Sequence, residues 1–170
     1  MTGKSRNVNR ARWHIVAYQA SMASALADLF TLAVQHIDDA FYSTAEKAAW
    51  APQPPDYERW QQRLAGKRPW VAVCQEMPIG FIELDDDGHI DCAYVHPDWQ
   101  RCGVMTALYR GLEVAAAERG VSRLYVEASE VAKPFFARQG FTLLGKNHVQ
   151  RGEHILVNYL MENYLLEKAC

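Results

Sequence analysis

No stretch of this 170-residue chain is long and apolar enough to cross a bilayer. Its four cysteines form no Cys-x-x-Cys pair and have no histidine at metal-binding spacing, which leaves no sequence case for a metal. A net charge of −2 gives no global attraction to nucleic acid or to an acidic membrane. No Lys-Ser/Thr follows a glycine-rich turn, so a Walker phosphate loop is excluded. There is no internal repeat, low-complexity block or linker. What remains is a chain with 49% apolar and 22% charged residues, suited to one soluble domain with a sizeable core. Lys4, Arg6, Arg10 and Arg12 precede an Ala-rich stretch and imitate a secretory signal, but Gln19 and Asp28 interrupt it. Residues 1–12 are therefore read as a loose basic leader and 13–170 as a single domain. Cys74 and Cys92 fall in predicted strands as buried free thiols, which places the protein in a reducing cytoplasm.

Apolar periodicity predicts a strand over 13–19, a helix over 22–37, and short helices over 43–51 and 56–65. Strands follow over 70–75, 79–85 and 89–95, joined by turns at Gln75-Glu76-Met77-Pro78 and Asp86-Asp87-Gly88. Then come a helix (104–119), a strand (122–128), a helix (131–139) and two strands (141–149, 154–161). Hairpins followed by strand–helix–strand imply an α+β fold, with a mixed sheet and helices on both faces.

The most informative segment runs from Tyr94 to Thr106. A strand enters a loop containing Pro97, Gln100, Arg101, Cys102 and Gly103, and the chain then starts a helix at Val104 and Met105. A loop that passes directly into a helix leaves backbone N–H groups pointing one way, a seat for phosphate or pyrophosphate. Gly103 lets the backbone approach a ligand closely, while Arg101 adds a charged fork and Thr106 a hydroxyl. Cys102 sits in the same loop near the helix N-terminus, and inert packing is the reading there ahead of a reactive thiol.

Gln100 and Gly103 resemble motif A of the GNAT superfamily of acyl-CoA-dependent N-acetyltransferases, with Met105 replacing the last small residue. The strand from Leu124 to Ser129 and the helix ending in Gln139-Gly140-Phe141 resemble motif B. The resemblance extends from about Ile15 to Met161. It implies a mostly antiparallel sheet of about seven strands with a splayed central pair, and acetyl-CoA as co-substrate lying in the gap. It further implies that the Val95 N–H acts as an oxyanion donor, with Tyr94, Ser129 and Phe136 beside the acyl-pantetheine arm. The family commonly has a tyrosine where Phe136 stands. Phe136 cannot donate a proton, which leaves Ser129, Tyr159 or a water as the acid.

A general base must also be found. Asp91, Ala93 and Val95 alternate onto one face of the strand, with His89 two residues further along it. Asp91 is the expected base, and Glu83 and His89 are the alternatives. The register of the hairpin decides whether Glu83 lies opposite Ile90, Asp91 or Cys92. The acceptor end of such a fold falls in an aromatic-rich region, where His36, Asp39, Tyr42 and Tyr159 offer polar tips for an amine. The expected activity is acetyl transfer to a primary amine of a small molecule or peptide, by direct attack in a ternary complex. The alternative is a silent acyl-CoA-binding module, which Phe136 and Met105 favour. A homodimer is compatible with either reading.

Overall fold

In the computed structural model, residues 12–165 are described. The basic leader therefore lies, apart from Arg12, outside the described residues. Strands β1 (Trp13–Ala17), β2 (Trp70–Cys74), β3 (Met77–Leu84), β4 (His89–Val95), β5 (Arg123–Ala128), β6 (Thr142–Arg151) and β7 (His154–Tyr164) form one sheet. Its order is β1-β2-β3-β4-β5-β7-β6. Only β4 and β5 run parallel; every other pair is antiparallel, as the expected mixed sheet requires.

Among the described residues five α-helices cover the sheet: α1 (Ala23–Gln35), α2 (Thr44–Trp50), α3 (Tyr57–Lys67), α4 (Val104–Glu118) and α5 (Lys133–Arg138). Val104, Leu108, Tyr109, Leu112 and Ala116 give α4 a buried stripe that packs with Ile82, Ile90 and Leu124. Leu26 and Leu29 of α1 and Leu64 of α3 pack with Val71, Phe81 and Cys92 in a second cluster. The sheet thus has helices on both faces. Ser43 starts α2 with a capping box: its hydroxyl accepts from the Glu46 N–H, and the Glu46 carboxylate accepts from the Ser43 N–H.

Two turns are tighter than the sequence suggests. Gln75 and Glu76 both have positive φ, 50° and 67°, and turn the chain alone as a two-residue hairpin of the primed kind. Met77 and Pro78 already belong to β3. Gly152 and Glu153 likewise suffice between β6 and β7, so those strands are longer than their apolar runs.

The β3–β4 ladder carries the distortion that shapes the site. Ile82 pairs with Ala93, but Leu84 pairs with Ile90, so Glu83 faces two residues, Asp91 and Cys92. A bulge of this kind bends a strand and increases its twist. On its other edge β4 pairs with β5 only at His89–Tyr125 and Ile90–Val126. Beyond Ile90 the two strands part, which is the expected splayed central pair.

Candidate active site

The open fork between β4 and β5 leads into a cavity of about 420 Å³. Asp91 to Tyr94 form one side and Val126 to Ser129 the other. Phe136 lies at the α5 side, with Asn147, Val149 and Arg151 on the β6–β7 hairpin. On the helical side Phe30 packs 4.9 Å from both Trp60 and Tyr94, and Trp50 lies 5.3 Å from Tyr42, measured between ring centroids. The result is an aromatic wall facing a polar fork.

Backbone polarity follows from register. The His96 N–H donates to the Ile79 carbonyl, and the groups of an antiparallel strand alternate sides. Tyr94 therefore turns its N–H toward β3, and Val95 turns its N–H into the gap where β5 is missing. This is the orientation an oxyanion donor needs. Tyr94 was expected beside the acyl arm. Its ring belongs to the aromatic wall of that cavity, and its N–H is turned to β3.

The Gln100–Thr106 loop forms as its residues suggest. Gly103, with φ +82°, is the N-cap of α4, and a Cβ built on it would meet nothing within 4 Å. The N–H groups of Val104, Met105 and Thr106 have no acceptor among the described residues, because the first intrahelical bond runs from Ala107 to Gly103. Gly80 sets the helix start close to the fork. A Cβ there would press on the Val104 and Leu108 side chains at 3.1 and 3.2 Å. Met105 is half-buried and packs against the α4 core cluster, so its thioether serves the core as well as bordering the loop. Cys102 is exposed, its thiol 3.5 Å from the Gln100 carbonyl.

The carboxylates are arranged differently from simple alternation. Because of the bulge, Asp91 and Cys92 both meet Arg63 Nη2, at 2.8 and 3.4 Å, while Ala93 and Val95 pack on the α4 side. The expectation that Asp91 shares a face with Ala93 and Val95 is thus corrected. Glu83 is fully buried and accepts three hydrogen bonds from Arg63, at 3.1 to 3.3 Å. Burial pushes its carboxyl above the usual range against the pull of Arg63. It does not reach the cavity and is a structural anion.

Asp91 lines the cavity and also accepts from Lys67 Nζ at 2.9 Å. Burial opposes its charge, but the Lys67 hydrogen bond and the Arg63 charge outweigh it, and its carboxyl sits below the usual range. Lys67 is pushed up to about 12; burial works against its charge, but bonds to Asp85 and Asp91 prevail. Asp85, His89 and Asp91 bring ligand atoms within 4.8 Å of one another, but the Lys67 ammonium already lies against both carboxylates. A bound cation would have to displace it.

The polar tips expected at the acceptor end disperse. His36 is exposed and lies outside the cavity wall. Asp39 is exposed too and pairs with Lys47, whose ammonium also caps α1 through the Gln35 and Ile37 carbonyls. Tyr42 lines the cavity, but its hydroxyl donates to the Val157 carbonyl and accepts from the Glu130 N–H. Tyr159 lies outside the wall, its ring beneath Lys133 Nζ. Ser129 remains in the wall; its oxygen accepts from the Ala132 N–H, and its O–H stays available to donate. Phe136 is buried against Phe141 and Phe135.

Arg63, Lys67 and Glu127, which bring charge to the fork, were not anticipated, nor were Asn147, Val149 and Arg151 of the β6–β7 hairpin. The first two stand four apart on α3, a spacing that places both on one helix face. That spacing was the available signal.

The family model described as "Acetyltransferase (GNAT) domain" matches residues 38–162. The N-acetyltransferase YafP of Escherichia coli is 34% identical over 144 residues, 85% of this chain and 91% of that protein. A GCN5-related N-acetyltransferase from Rhodopseudomonas palustris superposes with a TM-score of 0.85 at 33% identity, over 89% of this chain and 95% of that one. PaiA N-acetyltransferase from Thermoplasma acidophilum, solved with coenzyme A, shares the fold at a TM-score of 0.74 and 16% identity, over 91% and 99% of the two chains. The forked sheet, the helix start at Gly103 and these likenesses agree: the chain belongs to the GNAT family of acetyltransferases.

Proposed function

We propose that the protein moves an acetyl group from acetyl-CoA to a primary amine of a small molecule or peptide, by direct attack in a ternary complex. The observation that carries this reading is the Val95 N–H turned into the β4–β5 gap, beside an uncapped α4 start. The coenzyme supplies an activated acetyl thioester. Arg101 and the N–H groups of Val104 to Thr106 hold its pyrophosphate, with Gln100 and Cys102 in the same loop. The Val95 N–H faces the carbonyl oxygen, where a fixed donor stabilises developing negative charge. Coenzyme A in PaiA and acetyl-CoA in the YncA structure from Salmonella typhimurium support the choice of co-substrate.

Asp91 was expected as the base, but its two cationic neighbours change its role. Arg63 and Lys67 both meet Asp91 Oδ2 and hold the carboxylate ionised with little affinity for a proton, which leaves Oδ1 to accept an N–H of the acceptor. It anchors the acceptor at the fork, beneath the aromatic wall. Phe136 supplies no proton, and the Ser129 hydroxyl is the available O–H on that side of the cavity. Phe136 and Met105 favour a silent acyl-CoA-binding module, whereas the oriented Val95 N–H favours catalysis. No described helix is long and apolar enough to cross a membrane, and the free thiols Cys74, Cys92 and Cys102 fit a cytoplasmic setting.

Thiol release from acetyl-CoA against a panel of primary amines tests the activity; release no faster with any amine than without one, although acetyl-CoA binds, supports the silent module. Within that assay Asp91→Asn is expected to raise KM for the amine roughly tenfold, equivalent to about 1.4 kcal/mol, and to change kcat less. The opposite pattern, an unchanged KM with kcat lost, returns the base to Asp91.

A further inference from the structure

The last paired residues of β4 and β5 are Ile90 and Val126. The next residue on each strand is acidic: Asp91 on one arm of the fork and Glu127 on the other, and both line the cavity. Their surroundings differ. Asp91 meets two cations, whereas Glu127 meets an imidazole: its Oε2 lies 2.5 Å from His89 Nε2. Its Oε1 has no hydrogen-bond partner among the described residues. On the far side of the ring, His89 Nδ1 lies 3.3 Å from Asp85 Oδ2, and Asp85 is partly open to solvent. A carboxylate–imidazole–carboxylate chain therefore runs from the cavity to the surface.

We propose that Glu127 is the proton acceptor for the amine and that His89 and Asp85 carry the proton from it to solvent. This inference rests on the acetyl-transfer reading above. The acceptor's ammonium gives one N–H proton to Glu127 Oε1, and its N–H bonding pair becomes the lone pair that attacks. Glu127 passes a proton to His89 Nε2 as the Nδ1 proton moves to Asp85 Oδ2 and on to water. One proton leaves the ammonium and one reaches solvent, so charge balances; His89, neutral throughout, ends as the Nε2–H tautomer and regains the Nδ1–H form by proton exchange with water once the product has left.

Every neighbour of the ring fits this use. Tyr125 on β5 stacks against His89 at 4.8 Å and fixes its plane. The backbone N–H of His89 donates to Asp87 in the turn, and the Tyr125 hydroxyl donates to the same carboxylate. Asp91 on β4 adds negative charge, and Lys67 on α3 offsets part of it through Asp85 and Asp91. Burial works against the imidazolium, but the bond to Glu127 and the surrounding carboxylates raise the ring's affinity for a proton above that of free histidine. Glu127 is the catalytic base; His89 and Asp85 position it and carry the proton.

Acetyl-CoA turnover by the whole chain tests the relay, using the amine of the panel that the wild type acetylates fastest. Glu127→Gln is expected to lower kcat on the order of 10²–10³-fold, with the amine KM and acetyl-CoA Kd within about twofold. His89→Gln is expected to displace the limb of the kcat–pH profile that His89 sets, and added imidazole should restore part of the rate to His89→Ala. A purely structural pin between the β3–β4 turn and β5 would show neither effect. If Glu127→Gln does not fold, judged by thermal unfolding, the His89→Gln profile decides. Wild-type kcat in Glu127→Gln, or an unshifted profile in His89→Gln, overturns the relay and leaves the acetyl-transfer reading intact. A wild type that acetylates none of the amines overturns both.

Discussion

Gly103→Val is expected to abolish acetyl-CoA binding, with an affinity loss on the order of 10²-fold or more, while the fold survives. Two effects act together. The φ of +82° at this position is one that a β-branched residue adopts only with strain. The new side chain also points into open space at the α4 start, where the phosphates are to lie. Nothing of the core occupies that space, so the effect falls on the ligand more than on packing. Calorimetry with acetyl-CoA is the check, with the thermal transition as control. Unchanged affinity in a folded variant would remove the pyrophosphate from this loop.

Arg63→Met is expected to have the largest effect on stability, a loss of about 3–5 kcal/mol, because it leaves Glu83 buried without its cation. The pH dependence has a definite sign. Glu83 is already raised by burial, and without Arg63 its folded pKa climbs further above the unfolded value of about 4.3. The penalty is therefore full above the folded pKa, shrinks as pH falls through it and vanishes below the unfolded value. The stability gap between variant and wild type, from denaturant titrations, should be wider at about pH 8 than at about pH 5. Adding Glu83→Gln should recover half or more of the loss. A double variant no more stable than Arg63→Met would show that Arg63 matters through its packing on Trp60, where its guanidinium lies 5.7 Å from the ring centroid.

Much of this architecture was legible because its signals are local. The 3.6-residue stripe of α4, the Gly103 turn into it and the loop with its basic Arg101 each lie within a few residues. The acceptor side was less legible because it is assembled from distant segments. Ile90 and Cys92 are both buried and two apart, which reads as one face of a regular strand; in fact they join different clusters because the bulge opposite Glu83 reverses the alternation. No composition signal marks a bulge of that kind.

Arg63 and Lys67 share one face of α3, and the tertiary approach of α3 to β3 and β4 turns that face inward. Glu127 sits between Val126 and Ala128 in an alternating strand, where an outward carboxylate is ordinary; the parting of β4 makes it a cavity residue. His36 and Asp39 failed for the opposite reason. They lie near aromatic residues in sequence, yet the chain after α1 turns them to solvent, with Asp39 held by Lys47.

The central claim is that the β4–β5 gap receives the acyl arm with the Val95 N–H against its carbonyl oxygen. Titrating acetyl-CoA into the isotopically labelled protein and following backbone amide shifts tests it most directly. The account predicts that the largest changes fall on Val95 and on Gly103 to Thr106, with Val95 moving less for coenzyme A that lacks the acetyl group. Shifts concentrated elsewhere, with the Val95 amide unmoved at saturation, would contradict it.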